Sequence, residues 1–325
     1  MDRALIAKRQ VTADQEREII GNVFAVAPGV WRMKDIFVNV YIIQNSDNPS
    51  WVLVDTGLKS SLPKIKRMID EVIEPDAVPS AIIMTHGHFD HRGSLIQLAE
   101  EWRVPVYCHH MEMPYLTGKA DFPPADPTVG GGMMASMAFV YPKGPIDATA
   151  FLKELPEDGT IPELPEWKWI HTPGHSPGHI SLFREKDGVL VAGDAIVTTQ
   201  QESIFSVMTQ KKVLCGPPKY FTPDWGAAAR SVKLLAKLEP NVITTGHGHA
   251  MYGNEARKAL HKLARQFWSM GIPDKGRYVT EPALFNEEGP TYIPPARPNY
   301  LLIGVAAAAV LLITGLIIYK KRSRA

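Results

Sequence analysis

The ten residues "MTHGHFDHRG", Met84 to Gly93, place three histidines and an aspartate within six positions, directly after the apolar run "SAIIM". A short, fully apolar run bounded by polar residues reads as a buried strand. "GSLIQLAEEWR" then carries apolar residues at helical spacing. The cluster therefore sits at a strand end, in the turn that enters a helix. His86 and His88 are two positions apart, so on extended chain their rings turn to the same side. Asp90 and His91 follow in the turn. Imidazole and carboxylate are the donors that borderline divalent cations take in catalytic sites. Four donors can begin two metal sites but complete neither.

Other strand ends supply the rest. "WIHTPGHSPGH" offers His171, His175 and His179, "VLVAGDA" offers Asp194, and "VITTGHGHA" offers His247 and His249. Glycines beside them let the backbone turn tightly. The chain reads as interleaved strands and helices. "VFAVAPGVWRM", "IFVNVYIIQ" and "WVLVDTG" are rich in β-branched and aromatic residues, and "LKSSLPKIKRMIDEVI" and "DWGAAARSVKLLAKLEP" carry helical periodicity. Meander-like and crossover segments coexist, so a purely parallel sheet is not expected.

In this order, His-x-His-x-Asp-His, the "TPGHSPGH" histidine, the "AGD" aspartate and the "TGHG" histidine resemble the metallo-β-lactamase superfamily of binuclear metallo-hydrolases, its glyoxalase II and lactonase-like group in particular. The resemblance spans roughly Phe24 to Met270. It implies an α/β fold, a four-layer αββα sandwich with metals at one edge between the sheets. It also implies that His86, His88 and His175 hold one ion, that Asp90, His91 and His247 hold a second, and that Asp194 bridges them. Two divalent ions follow, zinc first, with iron or manganese as alternatives. By the same resemblance Asp90 orients the nucleophile or carries a proton, and Asp55 in "VLVDTG" supports the ligands from behind. His249 is expected beside the ligands as a further support.

The implied reaction is attack of metal-bound hydroxide on an ester-type carbonyl, in a lactone, a thioester or a related group. Val197 stands where lactonases of the family carry tyrosine, and Asp194 where resistance lactamases often carry cysteine. The fold alone does not choose a substrate. Two other readings are a mononuclear iron dioxygenase of the persulfide type and a non-catalytic binding module. The Met-rich segment "GGGMMASMAFVYPKG" and the loop "CGPPKYFTPDW" suggest an apolar mouth, with Met134, Phe139, Tyr220 and Phe221 as substrate contacts and a small, lipophilic ester as the partner.

Composition bounds the remainder. The 325 residues are 45% hydrophobic, with 35 basic and 34 acidic side chains, which provides no electrostatic reason for a nucleic-acid partner. Two cysteines, Cys108 and Cys215, make no disulfide framework. Residues 1–280 read as the hydrolase domain and 281–299 as a Pro-rich linker. Residues 300–319, uncharged over twenty positions, read as a transmembrane helix, and 320–325 as a basic tail. These imply a single-pass C-terminal membrane anchor with the catalytic domain on the cytoplasmic side.

Overall fold

Along β5 (Trp51–Val54) and β6 (Ala81–Ile83) every residue is buried, so both faces of these strands are covered. The two-residue period of a strand separates the faces. Leu53 and Ile82 join a cluster with Ile65, Met68 and Leu98. Val52, Val54 and Ile83 join another with Leu182, Val191 and Val242. A strand that is apolar on both faces needs a layer on each side.

The computed structural model describes residues 15–296. One sheet runs in chain order through β1 (Arg17–Ile20), β2 (Val23–Ala27), β3 (Val30–Asp35), β4 (Val38–Gln44), β5, β6, β7 (Val106–Cys108) and β8 (Leu152–Glu154). It is antiparallel as far as β5 and parallel from β5 to β8. The second sheet comprises β9 (Lys168–His171), β10 (Ile180–Arg184), β11 (Val189–Val191), β12 (Val242–Thr244) and β13 (Met251–Tyr252). Only its β11–β12 pair is parallel.

Parallel neighbours need crossovers, and helices supply them. Helices α1 (Leu62–Val72) and α2 (Leu95–Trp102) cover the outer face of the first sheet; α1 buries Ile65, Met68, Ile69 and Val72 along one stripe. Helices α3 (Trp225–Lys237) and α4 (Gly253–Arg265) cover the outer face of the second sheet through Leu190, Ile243, Val232 and Leu260. The Asp224 side chain accepts the Ala227 N–H at 2.8 Å and fixes where α3 begins. Three apolar interfaces thus separate four layers, the αββα order implied by the motifs. The parallel pairs β5–β6 and β11–β12 deliver Asp55, the His86–His91 turn, Asp194 and His247 from their C-terminal ends.

Two expectations at the C-terminus need correction. The segment 281–299 does not run as an extended linker over its described part. β14 (Leu284–Asn286) and β15 (Gly289–Tyr292) form a hairpin, and Ala283 is buried in the cluster beneath α3 and α4, because apolar residues between the prolines find a surface to cover. The membrane-spanning helix expected over 300–319 lies outside the described residues. Among those described no helix is long and apolar enough to cross a membrane. The longest have 13 residues, about 20 Å against a hydrocarbon core of about 30 Å. Over the described residues the fold class is therefore corrected to the α/β sandwich with no membrane-crossing helix, and the expected membrane location has no support there.

Leu182 lies fully buried between the sheets. Leu182→Ala is expected to cost about 2–5 kcal/mol, read as a lower urea midpoint at unchanged slope. A shift below about 0.5 kcal/mol would contradict tight packing of this interface.

Candidate metal centre

At the end of β6 the chain turns through His86, Gly87, His88, Phe89, Asp90 and His91, and the His91 and Arg92 N–H groups return to the His88 carbonyl at 3.0 and 3.1 Å. This tight turn carries four of the donors, His86, His88, Asp90 and His91. His175 arrives from the β9–β10 connection, Asp194 from β11, and His247 from β12. The donor atoms form three groups, each drawn together within 4.8 Å: His86, His88 and His175; His86, His91 and Asp194; Asp90, His91 and His247. Asp194 Oδ2 lies 3.0 Å from His247 Nε2, 3.4 Å from His175 Nε2 and 3.6 Å from His91 Nε2. None of the seven residues is more than 5% exposed.

Buried polar atoms are ordinarily paired. Here His86 Nε2, His91 Nε2, His175 Nδ1 and Asp194 Oδ1 are buried and have no hydrogen-bond partner. Unpaired polar atoms on four residues of one buried cluster suit a site built to hold cations.

The back sides of the rings are held. The Asp55 carboxylate accepts His91 Nδ1–H at 2.8 Å, together with the Thr85 N–H and hydroxyl. His247 Nδ1–H donates to the Phe37 carbonyl at 2.7 Å. Each leaves Nε2 free to face the centre. His179 Nε2 accepts the Asp194 N–H at 2.8 Å, so its proton sits on Nδ1, facing Thr172 Oγ1. Gly246 is required by crowding, since a Cβ there would collide with the Asp194 carboxylate and the His91 ring.

Electrostatics follow from this packing. For Asp194, burial acts to raise the pKa, but His247 and His91 outweigh it and hold the carboxyl well below its usual range. Burial likewise opposes the charged form of His91 and His247, and the carboxylates, Asp194 foremost, overcome it and raise both. His86 and His88 are pushed well down by burial and neighbouring imidazoles, and burial takes His175 down to about 3 despite Asp194. Without a cation the carboxylates favour the protonated form of His91 and His247, and a divalent ion would compete with those protons.

The loop bearing His247 is tied down from the first sheet. Asn39 Nδ2–H donates to the Thr245 and Gly248 carbonyls, both at 2.8 Å, and the Tyr41 hydroxyl donates to the Thr245 carbonyl at 2.6 Å. His249 turns away from the ligands. Its Nδ1 faces Glu16 at 2.7 Å and Arg32 at 3.1 Å, within a buried network that also holds Asn39. His171 donates to the Pro177 carbonyl and stacks on His109, outside the cluster.

Of the proposed substrate contacts, Phe221 stacks on His88 with ring centroids 4.7 Å apart, and Tyr220 is buried beside it. Burial raises the Tyr220 phenol well above its usual range, and Asp90 adds to the shift. Met134 is half-buried behind this pair. Phe139 is 54% exposed and belongs to no buried cluster.

The match to known proteins agrees with this geometry. Residues 33–247 fit the family model described as "Metallo-beta-lactamase superfamily". The chain belongs to that superfamily. It is 47% identical over 248 residues, 76% of this chain and 94% of the relative, to the probable metallo-hydrolase YflN of Bacillus subtilis (strain 168). It is 26% identical to the probable metallo-hydrolase YybB of the same organism, covering 67% of this chain and 84% of the relative. Among solved structures, the metallo-beta-lactamase family protein TTHA1429 of Thermus thermophilus matches 75% of this chain and 81% of its own, at 22% identity and a TM-score of 0.52, a likeness of fold. With its His and Asp clusters, this superfamily member is a metal-dependent hydrolase.

One supporting residue is missing from the motif reading. Glu112, fully buried, accepts the Gly87 N–H at 2.8 Å through Oε2, and the Ser176 hydroxyl at 2.6 Å and Gly178 N–H at 2.9 Å through Oε1. One carboxylate thereby straps the His86–His88 turn to the His175 loop. Burial pushes its pKa up to about 7 against these three donors. The only signal in the sequence is an acid set among apolar neighbours in "CHHMEM".

Glu112→Gln puts an amide donor against donors. We expect metal affinity to fall about 10–100-fold, measured by competition with a chromophoric zinc chelator; unchanged affinity would remove the strap from the site. The raised pKa values of His91 and His247 mean that metal uptake at pH 7 expels protons, so affinity continues to rise with pH above about 6.5. Calorimetry in buffers of differing ionisation enthalpy checks this, and a buffer-independent heat would contradict it.

Proposed function

We propose that this chain is a binuclear hydrolase of small ester-type substrates, lactones or thioesters among them. The observation that carries the reading is Asp194, whose Oδ2 sits within reach of His175, His91 and His247 and so faces both ends of the donor set. His86, His88 and His175 would hold one ion, Asp90, His91 and His247 the other, and Asp194 would reach both. Seven nitrogen and oxygen donors without a thiolate suit zinc, and admit iron or manganese. Bound ions of this kind supply Lewis acidity and water of lowered pKa.

The chain's own groups perform the rest. Asp90 Oδ2 lies 3.6 Å from His247 Nε2, at the inner wall of the centre. With no cation bound, the Asp90 carboxylate has its pKa raised by burial, with His91 and His247 opposing. It is placed to take a proton from water and return it to the departing alcohol or thiol. Phe221, stacked on His88, excludes bulk water from one side. Asp55 keeps the His91 ring from turning.

The test uses the full chain loaded with zinc and follows acid release from an acyl lactone and a thioester in parallel. Asp90→Asn is expected to lower kcat by about 10²–10⁴-fold with KM nearly unchanged. Asp194→Ala is expected to abolish turnover and to reduce bound metal. Full turnover in the Asp194→Ala variant, or none of either substrate in the parent, would overturn the reading.

A further inference from the structure

Beside the centre lies a cleft of about 700 Å³, bordered by Leu58, Phe89, Pro142, Pro145 and Ile146. Its volume is that of a small-molecule site. The two charged residues on its border are Lys59 and Arg92. The Arg92 guanidinium is already engaged, donating to the carbonyls of Tyr115 and Gly144. Among the described residues no carboxylate borders the cleft. Its walls offer an occupant aliphatic and aromatic carbon and little hydrogen bonding.

The cleft is built onto the ligand turn. Phe89 stands between His88 and Asp90, and consecutive Cα atoms are about 3.8 Å apart. The Phe89 ring packs on Tyr141 at 5.7 Å and on Phe221 at 6.2 Å, and Phe221 stacks on His88. A chain of packed aromatic rings therefore links His88 to Phe89 on the border of the cleft. The opposite wall is fixed to the same turn: the Gly93 N–H donates to the Gly57 carbonyl at 2.7 Å, and the Ser94 hydroxyl to the Leu58 carbonyl at 2.7 Å. Through Arg92, residues 142–146 are held across it. Met133 and Met137 of the Met-rich segment are nearly half exposed and do not border it.

We propose that this cleft binds the aliphatic chain of the acyl group while the carbonyl lies at the metal centre, which makes the enzyme selective for medium- and long-chain acyl substrates. The inference rests on the hydrolase reading above for its second half. Each buried methylene is expected to raise kcat/KM about three- to fourfold until the cleft is full.

The experiment measures kcat/KM of the zinc-loaded full chain on 4-nitrophenyl esters from acetate to decanoate, with the benzoate ester alongside. Ile146→Trp and, separately, Leu58→Trp fill the cleft from opposite walls. The expected result is a steep rise with chain length in the parent, flattened in either variant, with acetate turnover unchanged. A flat series in the parent, a benzoate rate above the octanoate, or a chain-length rise that survives both substitutions would overturn the proposal. Calorimetric binding of a long-chain methyl ketone to metal-free protein separates the two readings. Binding that Ile146→Trp removes, with no ester hydrolysed, keeps the cleft assignment and sinks the hydrolase reading. Hydrolysis with no chain-dependent binding does the reverse.

Discussion

The Asp194 carboxylate, 1% exposed and ringed by three imidazole nitrogens within 3.6 Å, is the constraint around which the strand ends are organised. An ionised carboxylate so buried is costly unless it is paired. Without a cation the carboxylates raise the pKa of His91 and His247 and so favour protons there; a bound cation would supply the pairing instead. Either way the ligands must be held at fixed positions, because buried charges tolerate little movement. Much of the surrounding structure is the apparatus that holds them.

That apparatus joins the two sheets. Asn39 and Tyr41 of β4 grip the Thr245–Gly248 loop, and the Phe37 carbonyl accepts the His247 Nδ1–H. Asp55, from the end of β5, orients His91. His179, from the connection into β10, holds the Asp194 main chain. Glu112 ties the β6 turn to the loop before β10. The inter-sheet core of Val54, Ile83, Leu182 and Val191 sets the spacing that these bonds require. Packing and site geometry are therefore coupled: loosening the core moves ligands that arrive from different sheets. The cleft at Leu58, Phe89 and Ile146 shares this frame, since its walls are bonded to the residues that follow His91.

The strands that periodicity reveals are the ones with apolar content on a buried face. β1, β8 and β13 escape it for a physical reason. They are two to four residues long, and their side chains are largely exposed or half-buried, so no apolar pattern marks them. The hairpin at Leu284–Tyr292 lies among prolines, which locally signal extended chain. Only contact with the cluster under α3 and α4 turns that segment into a covered edge.

The sequence by itself offered the donors, four in one turn and six at later strand ends, and the resemblance carried by their order singled out three of the six. It did so because ligand chemistry depends on residue type, and strand ends are visible as breaks in apolar runs. Only the tertiary structure decided which groups stand behind those donors. His249 is a strand-end histidine like His247, yet it faces Glu16 and Arg32 rather than the centre. Glu112 carries no motif and nevertheless bridges two ligand loops. Phe139 was an apolar candidate for the mouth and is half exposed, while Leu58 and Ile146, which form the cleft, have no distinguishing local pattern. Such roles depend on contacts between residues far apart in the chain, which local periodicity does not encode.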